Sequence, residues 1–184
     1  CGEAGWSVWI AARRAEQGEA VARRVDALGG QGHFVACDVA DEASIAHALD
    51  AVIKTDGRLD GAVHNATSGS SATKHAPLSE FTQAEMREQI AVSVRGSYLL
   101  ARLAFPHLKK TQGALVLLTS EAGFEGKARL PVYAGVKGAQ RGLGRALARL
   151  KRRKWRLVVV GDGVVRAEVE RALAPIGDRV LYLG

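Results

Sequence analysis

Short apolar runs, rich in β-branched residues, alternate along this chain with longer amphipathic segments. The apolar runs predict strands at residues 6–11, 33–37, 59–64, 114–119 and 156–160. The longer segments predict helices at residues 15–28, between Asp41 and Gly57, and at 79–110 and 132–149. Apolar strands that take turns with helices form a parallel sheet covered on both faces. The sequence therefore predicts an α/β fold.

The predicted sheet also indicates where a ligand would bind. Right-handed crossovers between parallel strands give a doubly wound, Rossmann-like sheet, in which ligands lie beyond the carboxyl ends of the strands. Polar residues follow four of the predicted strands, namely Arg13, Asp38, Asn65 and Ser120. The run at 114–119 lacks polar alternation, which predicts a strand buried on both faces.

Length and composition exclude several classes of protein. The 184 residues suit a single domain, 1–184, and 47% apolar with 24% charged residues is typical of a globular chain. No apolar run approaches the roughly 20 residues that span a bilayer, so we expect no membrane protein. Two cysteines, Cys1 and Cys37, are too few for a disulfide framework and favour the cytoplasm.

The positive charge is concentrated toward the end of the chain. The net charge is +7, and residues 127–184 hold 14 of the 26 Lys and Arg but 4 of the 19 Asp and Glu. The basic run at 151–154 could bind nucleic acid or anionic lipid, or it could be the solvated end of a helix. We favour the helix end, and no nucleic-acid partner, because neither aromatic residues nor a DNA-binding motif accompany the run.

Tyr133 and Lys137 stand four residues apart near the start of a predicted helix. This spacing places both side chains on one face, about one turn apart. A neighbouring ammonium favours the phenolate, so it lowers the pKa of a tyrosine from about 10, and such a tyrosine can exchange a proton with a carbonyl oxygen or an alcohol. Ser120, at the end of the preceding strand, either hydrogen-bonds the same oxygen or merely turns the chain.

Several motifs, in this order, resemble those of the short-chain dehydrogenases/reductases over nearly the whole chain. The segments that carry the resemblance are CDV at 37–39, LDGAVHNA at 59–66, TSEAG at 119–123, YAGVK at 133–137 and WRLVVV at 155–160. The serine of the third segment and the Tyr-x-x-x-Lys pair of the fourth have the family's usual separation. Each motif alone is weak, but the ordered set is specific.

The resemblance implies an oxidoreductase that transfers a hydride between NAD(P)(H) and a carbonyl or alcohol substrate of low molecular weight. Tyr133 would be the general acid/base, Lys137 would tune it and hold the nicotinamide ribose, and Ser120 would orient the carbonyl oxygen. Ser93 stands where the family has an asparagine that completes a catalytic tetrad. We expect no metal. The family also implies a homotetramer or homodimer built on the helices at 79–110 and 132–149.

Charge after the first predicted strand indicates which cofactor is preferred. The family places an acidic residue there when it uses NAD, whereas this chain has Arg13 and Arg14. A guanidinium pairs bidentately with phosphate, so we predict a preference for NADP(H) over NAD(H), with Arg13 as the first contact. The other cofactor-binding residues that the resemblance implies are Asp38, Val39, Asn65, Ala66, Tyr133 and Lys137.

The chain departs from the family at its start. Family members open with a strand and a Gly-rich turn that holds the pyrophosphate at a helix N-terminus. Residues 1–5 resemble the end of the following helix, which implies that about 20 residues are missing before Cys1. We therefore expect the Rossmann-like sheet to lack its first strand and Gly-rich turn.

Further departures concern single positions in the family's motifs. Ser93 replaces the tetrad asparagine but can still bind a water. His64 and Thr67 alter the loop on the cofactor side, and we interpret His64 as a packed residue rather than a catalytic one. Near the end, Asp162 and Ala167 replace a proline and a threonine, which puts a contact to the nicotinamide carboxamide in doubt.

Two alternatives compete with the enzyme interpretation. The missing phosphate turn and the altered motif positions favour a non-catalytic, cofactor-binding or regulatory relative. Residues 156–184 also resemble the nucleotide-sugar half of two-domain glycosyltransferases. That second resemblance covers few residues and leaves Ser120, Tyr133 and Lys137 without a role.

Overall fold

The computed structural model describes residues 1–69 and 74–148, together with the backbone of two later strands. The strands are β1 (Ser7–Ala12), β2 (Gln31–Ala36), β3 (Gly61–His64), β4 (Ala114–Leu117), β5 (Leu157–Val160) and β6 (Val180–Leu183). The helices are α1 (Ala15–Ala27), α2 (Glu42–Asp56), α3 (Gln83–Gln89), α4 (Gly96–Thr111), α5 (Ala122–Glu125) and α6 (Pro131–Ala148). A π-helical segment, Ile90–Arg95, joins α3 to α4, and short 3₁₀ turns occupy Gly2–Ala4 and Leu78–Glu80. In the described part of the chain, no helix is long and apolar enough to cross a membrane.

The strands pair in parallel, as the α/β prediction requires. β1 pairs with β2 from Ser7↔Gln31 onward, β3 pairs with β4 from Gly61↔Ala114 onward, and β5 pairs with β6. The strands that the structure describes form three separate two-stranded units rather than one continuous hydrogen-bonded sheet. The predicted strands, and the predicted helices at 15–28, 41–57 and 132–149, are present with ends that differ by one or two residues wherever the structure describes them.

One prediction about β4 is wrong. Ala114 is exposed and the other three residues of β4 are half-buried, so this strand is not buried on both faces. β4 pairs only with β3 among the described strands, so it lies at the edge of its described two-stranded unit. An apolar run fits a central strand and an edge strand equally well, so the sequence could not distinguish them.

One apolar core joins the first two strand pairs. It contains Val35 of β2, Ala62 of β3, Leu49 of α2 and Leu99 of α4, all at most 9% exposed. Helices α2 and α4 pack on each other, so they cover both pairs together. Helix α1 packs separately on β1 and β2. The shared core therefore holds the end of β2 and the end of β3 in one body.

The ends of α2 follow the predicted capping signals. Asp41 is the N-cap, and its Oδ1 atom accepts a hydrogen bond from Ala43 N at 3.1 Å. Gly57 ends the helix in the left-handed conformation, with φ of 71°, where other residues are strained.

The predicted helix at 79–110 is divided into α3, the π-helical segment and α4. Thr82 and Glu85 form a capping box that begins α3, and Lys74 lies 3.0 Å from the Glu85 carboxylate. The Thr82 backbone hydrogen bond, followed by Lys74, lowers the pKa of Glu85 to about 2. The π-helical segment places Ser93 inside the molecule.

We expect Asp41→Ala to destabilise the protein by about 1 kcal/mol, because the first turn of α2 loses its side-chain cap. Urea denaturation followed by circular dichroism measures the change. Asp50→Ala is the matched control, since Asp50 is exposed on the same helix and caps nothing. Equal effects of the two substitutions would show that the cap contributes no stability.

Candidate functional site

Tyr133 and Lys137 lie together near the start of helix α6. Helix α6 begins at Pro131, and Leu130 O accepts the first backbone hydrogen bond from Ala134 N at 2.8 Å. Proline suits this position because it has no N–H to leave unpaired. The Lys137 Nζ atom lies 5.7 Å from the centre of the Tyr133 ring. The structure therefore places an ammonium over the aromatic ring of the candidate acid/base.

The Lys137 ammonium is buried, with 4% of the residue exposed. Its Nζ atom donates a hydrogen bond to Leu118 O at 2.7 Å, just beyond the end of β4. Burial lowers the pKa of Lys137 below its usual value, because removal from water disfavours the charged form. The Lys137 side chain thus connects helix α6 to the carboxyl end of the β3–β4 pair.

Ser120 and Tyr133 line the same cleft, which encloses about 520 Å³. Ser120 lies two residues beyond Leu118, and its Oγ atom accepts a hydrogen bond from Ala122 N at 3.3 Å. Helix α5 begins at Ala122 and packs against α6, so the serine is held across from the start of α6. A cleft of this size suits a small organic substrate.

Charged side chains form the rim of this cleft. Lys127 pairs with Glu125 at 2.6 Å and with Glu121 at 3.5 Å, and these carboxylates raise the pKa of Lys127. Arg129 donates a hydrogen bond to His75 O at 3.0 Å. The Arg129 contact connects the segment at 74–77 to the loop that leads into α6, and Ala76 N also donates a hydrogen bond to Arg129 O at 2.9 Å.

Ser93 lies inside the molecule, next to α6 rather than in the cleft. It is 1% exposed in the π-helical segment, which packs against α6. Within residues 1–69 and 74–148, the Ser93 hydroxyl has no hydrogen-bond partner. The structure shows no direct contact between this hydroxyl and Lys137.

Arg13 and Arg14 lie at the carboxyl end of β1. Both are exposed, and Arg14 is the N-cap residue of α1. Asp38 follows β2, and its Oδ1 atom accepts a hydrogen bond from Ala40 N at 2.9 Å. Val39 is half-buried and packs against the shared core.

Asn65 and Ala66 follow β3, with Asn65 exposed and Ala66 half-buried. Together with Arg13, Arg14, Asp38 and Val39 they occupy the carboxyl ends of three parallel strands. The structure shows no hydrogen bond among these six residues. Asp162, Ala167 and the basic run at 151–154 lie outside the described residues.

Two buried polar residues beside Lys137 were not identified as functional from the sequence. His64 is 2% exposed and Gln140 is 1% exposed, and His64 Nδ1 lies 3.3 Å from Gln140 Nε2. The interpretation of His64 as a packed residue agrees with its burial, but its polar partner was missed. The available signal was the spacing of Gln140, three residues after Lys137 and therefore on the same face of α6.

Comparison with known proteins identifies the class. A family model described as "Enoyl-(Acyl carrier protein) reductase" matches residues 1–179. The chain is 36% identical over 115 residues to an L-fucose dehydrogenase from Oryctolagus cuniculus. This alignment covers 62% of this chain and 39% of that protein. It is 29% identical over 171 residues to a 3-oxoacyl-[acyl-carrier-protein] reductase from Bos taurus, covering 92% of this chain and 69% of that protein.

Solved structures show the same fold. A metagenomic short-chain oxidoreductase in complex with NADP superposes with a TM-score of 0.81 at 29% identity, covering 99% of this chain and 86% of that one. NAD⁺-bound xylitol dehydrogenase superposes with a TM-score of 0.78 at 21% identity, covering 96% and 69%. The second likeness concerns the fold alone.

The chain belongs to the short-chain dehydrogenase/reductase family, and its fold is the Rossmann-like α/β fold of that family. The match extends through residue 179, so it includes most of the segment on which the glycosyltransferase alternative rested. The chain spans about half the length or less of several curated relatives, including 39% of the L-fucose dehydrogenase and 51% of an uncharacterized oxidoreductase from Thermotoga maritima.

We expect Gly123→Ala to destabilise the protein by about 1–3 kcal/mol, because α5 and α6 are too close for another carbon. A Cβ atom on Gly123 would lie 2.7 Å from Gly138 N and from the carbonyl carbon of Lys137. Gly135→Ala is the control, since a Cβ atom there meets nothing within 4 Å and alanine favours a helix. Thermal denaturation of both variants tests the prediction, and a Gly123 variant as stable as the Gly135 variant would contradict it.

Proposed function

We propose that this protein transfers a hydride between NADP(H) and a carbonyl or alcohol substrate of low molecular weight, with Tyr133 as the general acid/base. The supporting observation is the arrangement around Tyr133, which shares a cleft with Ser120 while the buried Lys137 ammonium lies 5.7 Å from the ring centre. The substrates named for the relatives belong to those proteins and identify none for this chain.

The side chains of this chain supply proton transfer and orientation. In reduction, the Tyr133 phenol gives its proton to the carbonyl oxygen, and in oxidation the phenolate takes the proton from the alcohol. The Lys137 ammonium favours the phenolate by its positive charge. The Ser120 hydroxyl donates a hydrogen bond to the substrate oxygen and fixes its position. When bound, the nicotinamide supplies or accepts the hydride.

The residues at the carboxyl ends of the strands fit such a cofactor. Arg13 is exposed and makes no hydrogen bond or ion pair within the described part of the chain, so its guanidinium can bind an anion. The Asn65 side chain is exposed at the end of β3. Asp38 keeps one carboxylate oxygen, Oδ2, that accepts none of its local hydrogen bonds. Lys137, Tyr133, Val39 and Ala66 complete the proposed contacts.

A preference for NADP(H) follows from the charge after β1. Arg13 and Arg14 provide two cations at a position where a carboxylate would repel a phosphate. Ser93, beside α6, is proposed to bind a water that relays protons toward Lys137.

Assembly and location belong to the same proposal. Tyr98 and Phe105 are 52% and 42% exposed on α4 and lie seven residues apart, which puts them on one face of that helix. Such a face supports a homodimer or homotetramer built on α4 and α6. Cys1 and Cys37 are both free, which supports the reducing cytoplasm as the proposed location.

We expect Tyr133→Phe to lower kcat for carbonyl reduction by at least about 100-fold, because the phenol is the proton donor. The affinity for NADPH should change little, since only one oxygen is removed and the other proposed cofactor contacts remain. The loss of NADPH absorbance with a panel of ketones and aldehydes measures turnover, and Tyr98→Phe is the control.

Two results would separate this proposal from its alternative. A Tyr133 variant with wild-type kcat would remove Tyr133 from the mechanism. A wild-type protein that binds NADPH but reduces no compound in the panel would support the non-catalytic, cofactor-binding or regulatory alternative.

We expect Arg13→Ala to raise the Kd for NADPH by about 10-fold or more while leaving the Kd for NADH unchanged, because one charge-assisted hydrogen bond to phosphate is lost. Isothermal titration calorimetry measures both constants. Arg23→Ala is the charge-matched control, since Arg23 is exposed on α1 and lies 4.0 Å from Glu19. Equal weakening of NADPH and NADH by Arg13→Ala would refute the phosphate contact.

A further inference from the structure

The imidazole of His64 is enclosed between two helical elements at the end of β3. His64 is 2% exposed, and its Nδ1 atom lies 3.3 Å from Gln140 Nε2 on α6. On the opposite side, the position of a Cβ atom on Gly96 lies 3.0 Å from His64 Nε2, so α4 approaches the ring as closely as glycine allows. The ring therefore has little room to change its orientation.

The backbone of His64 is also connected to Lys137, through two hydrogen bonds of Leu118. His64 O accepts a hydrogen bond from Leu118 N at 3.1 Å. Leu118 O in turn accepts the hydrogen bond from Lys137 Nζ at 2.7 Å. Lys137 and Gln140 lie three residues apart on α6, and both are buried. A closed circuit of contacts thus links the β3–β4 pair to α6. Its members are His64, Leu118, Lys137 and Gln140.

The charge state of His64 follows from its surroundings. Burial, and then the positive charge of Lys137, lower the pKa of His64 below its usual value, while contact with the Val92 backbone opposes them. Lys137 is the charged group of α6 that acts on the ring. The π-helical segment offers the Val92 backbone and α4 offers Gly96, neither of which carries an ionisable side chain. The imidazole is therefore neutral near pH 7.

A neutral imidazole can pair with Gln140 in either of two ways. As placed, its Nδ1 atom accepts a hydrogen bond from the Gln140 amide N–H. With the Gln140 amide turned over, an N–H at Nδ1 would instead donate to the amide oxygen. In both cases the pair spans 76 residues of sequence and holds α6 at one depth against β3. A shift of α6 would carry Lys137 away from Leu118 O, because Lys137 and Gln140 belong to the same helix.

We propose that His64 is a positioning residue for Tyr133 and Lys137, acting through its contact with Gln140. The proposal rests on the proposed function of Tyr133 as acid/base. In this arrangement the imidazole moves no proton and touches no substrate. It sets the depth of α6 against β3. That depth fixes the position of Lys137 relative to Leu118 O and of Tyr133 relative to Ser120 across the cleft.

Three substitutions of His64 separate this role from simple packing. His64→Asn keeps a hydrogen-bonding atom at the position of Nδ1, two bonds from Cβ. His64→Gln moves that atom one bond further out, to the position of Nε2, and His64→Leu fills similar space with no polar atom. Gln140→Leu removes the same contact from the other side and serves as a second, independent variant.

We expect His64→Leu and Gln140→Leu to lower kcat by about 10-fold or more with unchanged KM, because the catalytic pair is misplaced while the cleft is kept. His64→Asn should retain most of the activity, and His64→Gln should behave as His64→Leu does. The double variant with Leu at both positions should lose no more activity than either single variant, since one contact is removed in each case.

A readout without cofactor accompanies the kinetics. The Nζ resonance of Lys137 in ¹⁵N-lysine-labelled protein, assigned with Lys137→Arg, reports the titration of the ammonium. We expect Lys137 to titrate below the other lysines in the wild type and in His64→Asn. In His64→Leu and Gln140→Leu its titration should move toward that of an ordinary lysine, because the ammonium becomes hydrated.

The outcomes distinguish this inference from the proposed function. Leu variants that fold, as judged by circular dichroism, and keep the wild-type kcat and Lys137 titration would reduce His64 to a packing residue. The same kcat and Lys137 titration in His64→Asn and His64→Leu would also show that His64 is only a packing residue. Should His64→Leu fail to fold, Gln140→Leu decides the question. A wild-type protein without turnover would refute the proposed function, while the Lys137 titration would still test the circuit.

Discussion

The hydrogen bond from the Lys137 ammonium to Leu118 O is the interaction on which the site depends. An ammonium removed from water is costly unless its charge is compensated, and here a backbone carbonyl and the face of the Tyr133 ring lie beside it. The same bond joins α6 to the end of β4, so any movement of α6 along the β3–β4 pair leaves a buried charge without its partner. Stability and the geometry of the candidate acid/base pair, Tyr133 and Lys137, are therefore coupled through one side chain.

Most of the fold could be predicted from local patterns, and the exceptions have a physical reason. Asp41 and Gly57 bound helix α2 because a cap and a left-handed glycine act within a few residues. The exposure of Ala114 in β4 could not be predicted, because burial of a strand depends on which elements of the fold pack on its two faces. The π-helical segment was missed for a similar reason, since its apolar residues continue the helical pattern of the segments around it.

The candidate site also has residues that local sequence identifies and residues that only the packing identifies. Spacing and family resemblance were enough to select Ser120, Tyr133 and Lys137 as candidates, because the three stand within 18 residues of sequence. The pair of His64 and Gln140 was not found, because its two members stand 76 residues apart and only the packing of α6 on β3 brings them together. A buried polar side chain needs a partner, but the sequence does not say which one.

The chemistry of position 64 is constrained by the ammonium beside it. A carboxylate there would attract Lys137 and compete with Leu118 O for its hydrogen bonds. A second cation would repel Lys137, and burial of both groups would leave that repulsion weakly screened. An apolar residue would add no charge beside Lys137 but would leave the Gln140 amide N–H buried without its partner, at a cost of about 1–3 kcal/mol. A neutral side chain that can both accept and donate a hydrogen bond meets all three conditions. Imidazole does so only while unprotonated, so the burial that keeps His64 neutral is also what makes it compatible with Lys137.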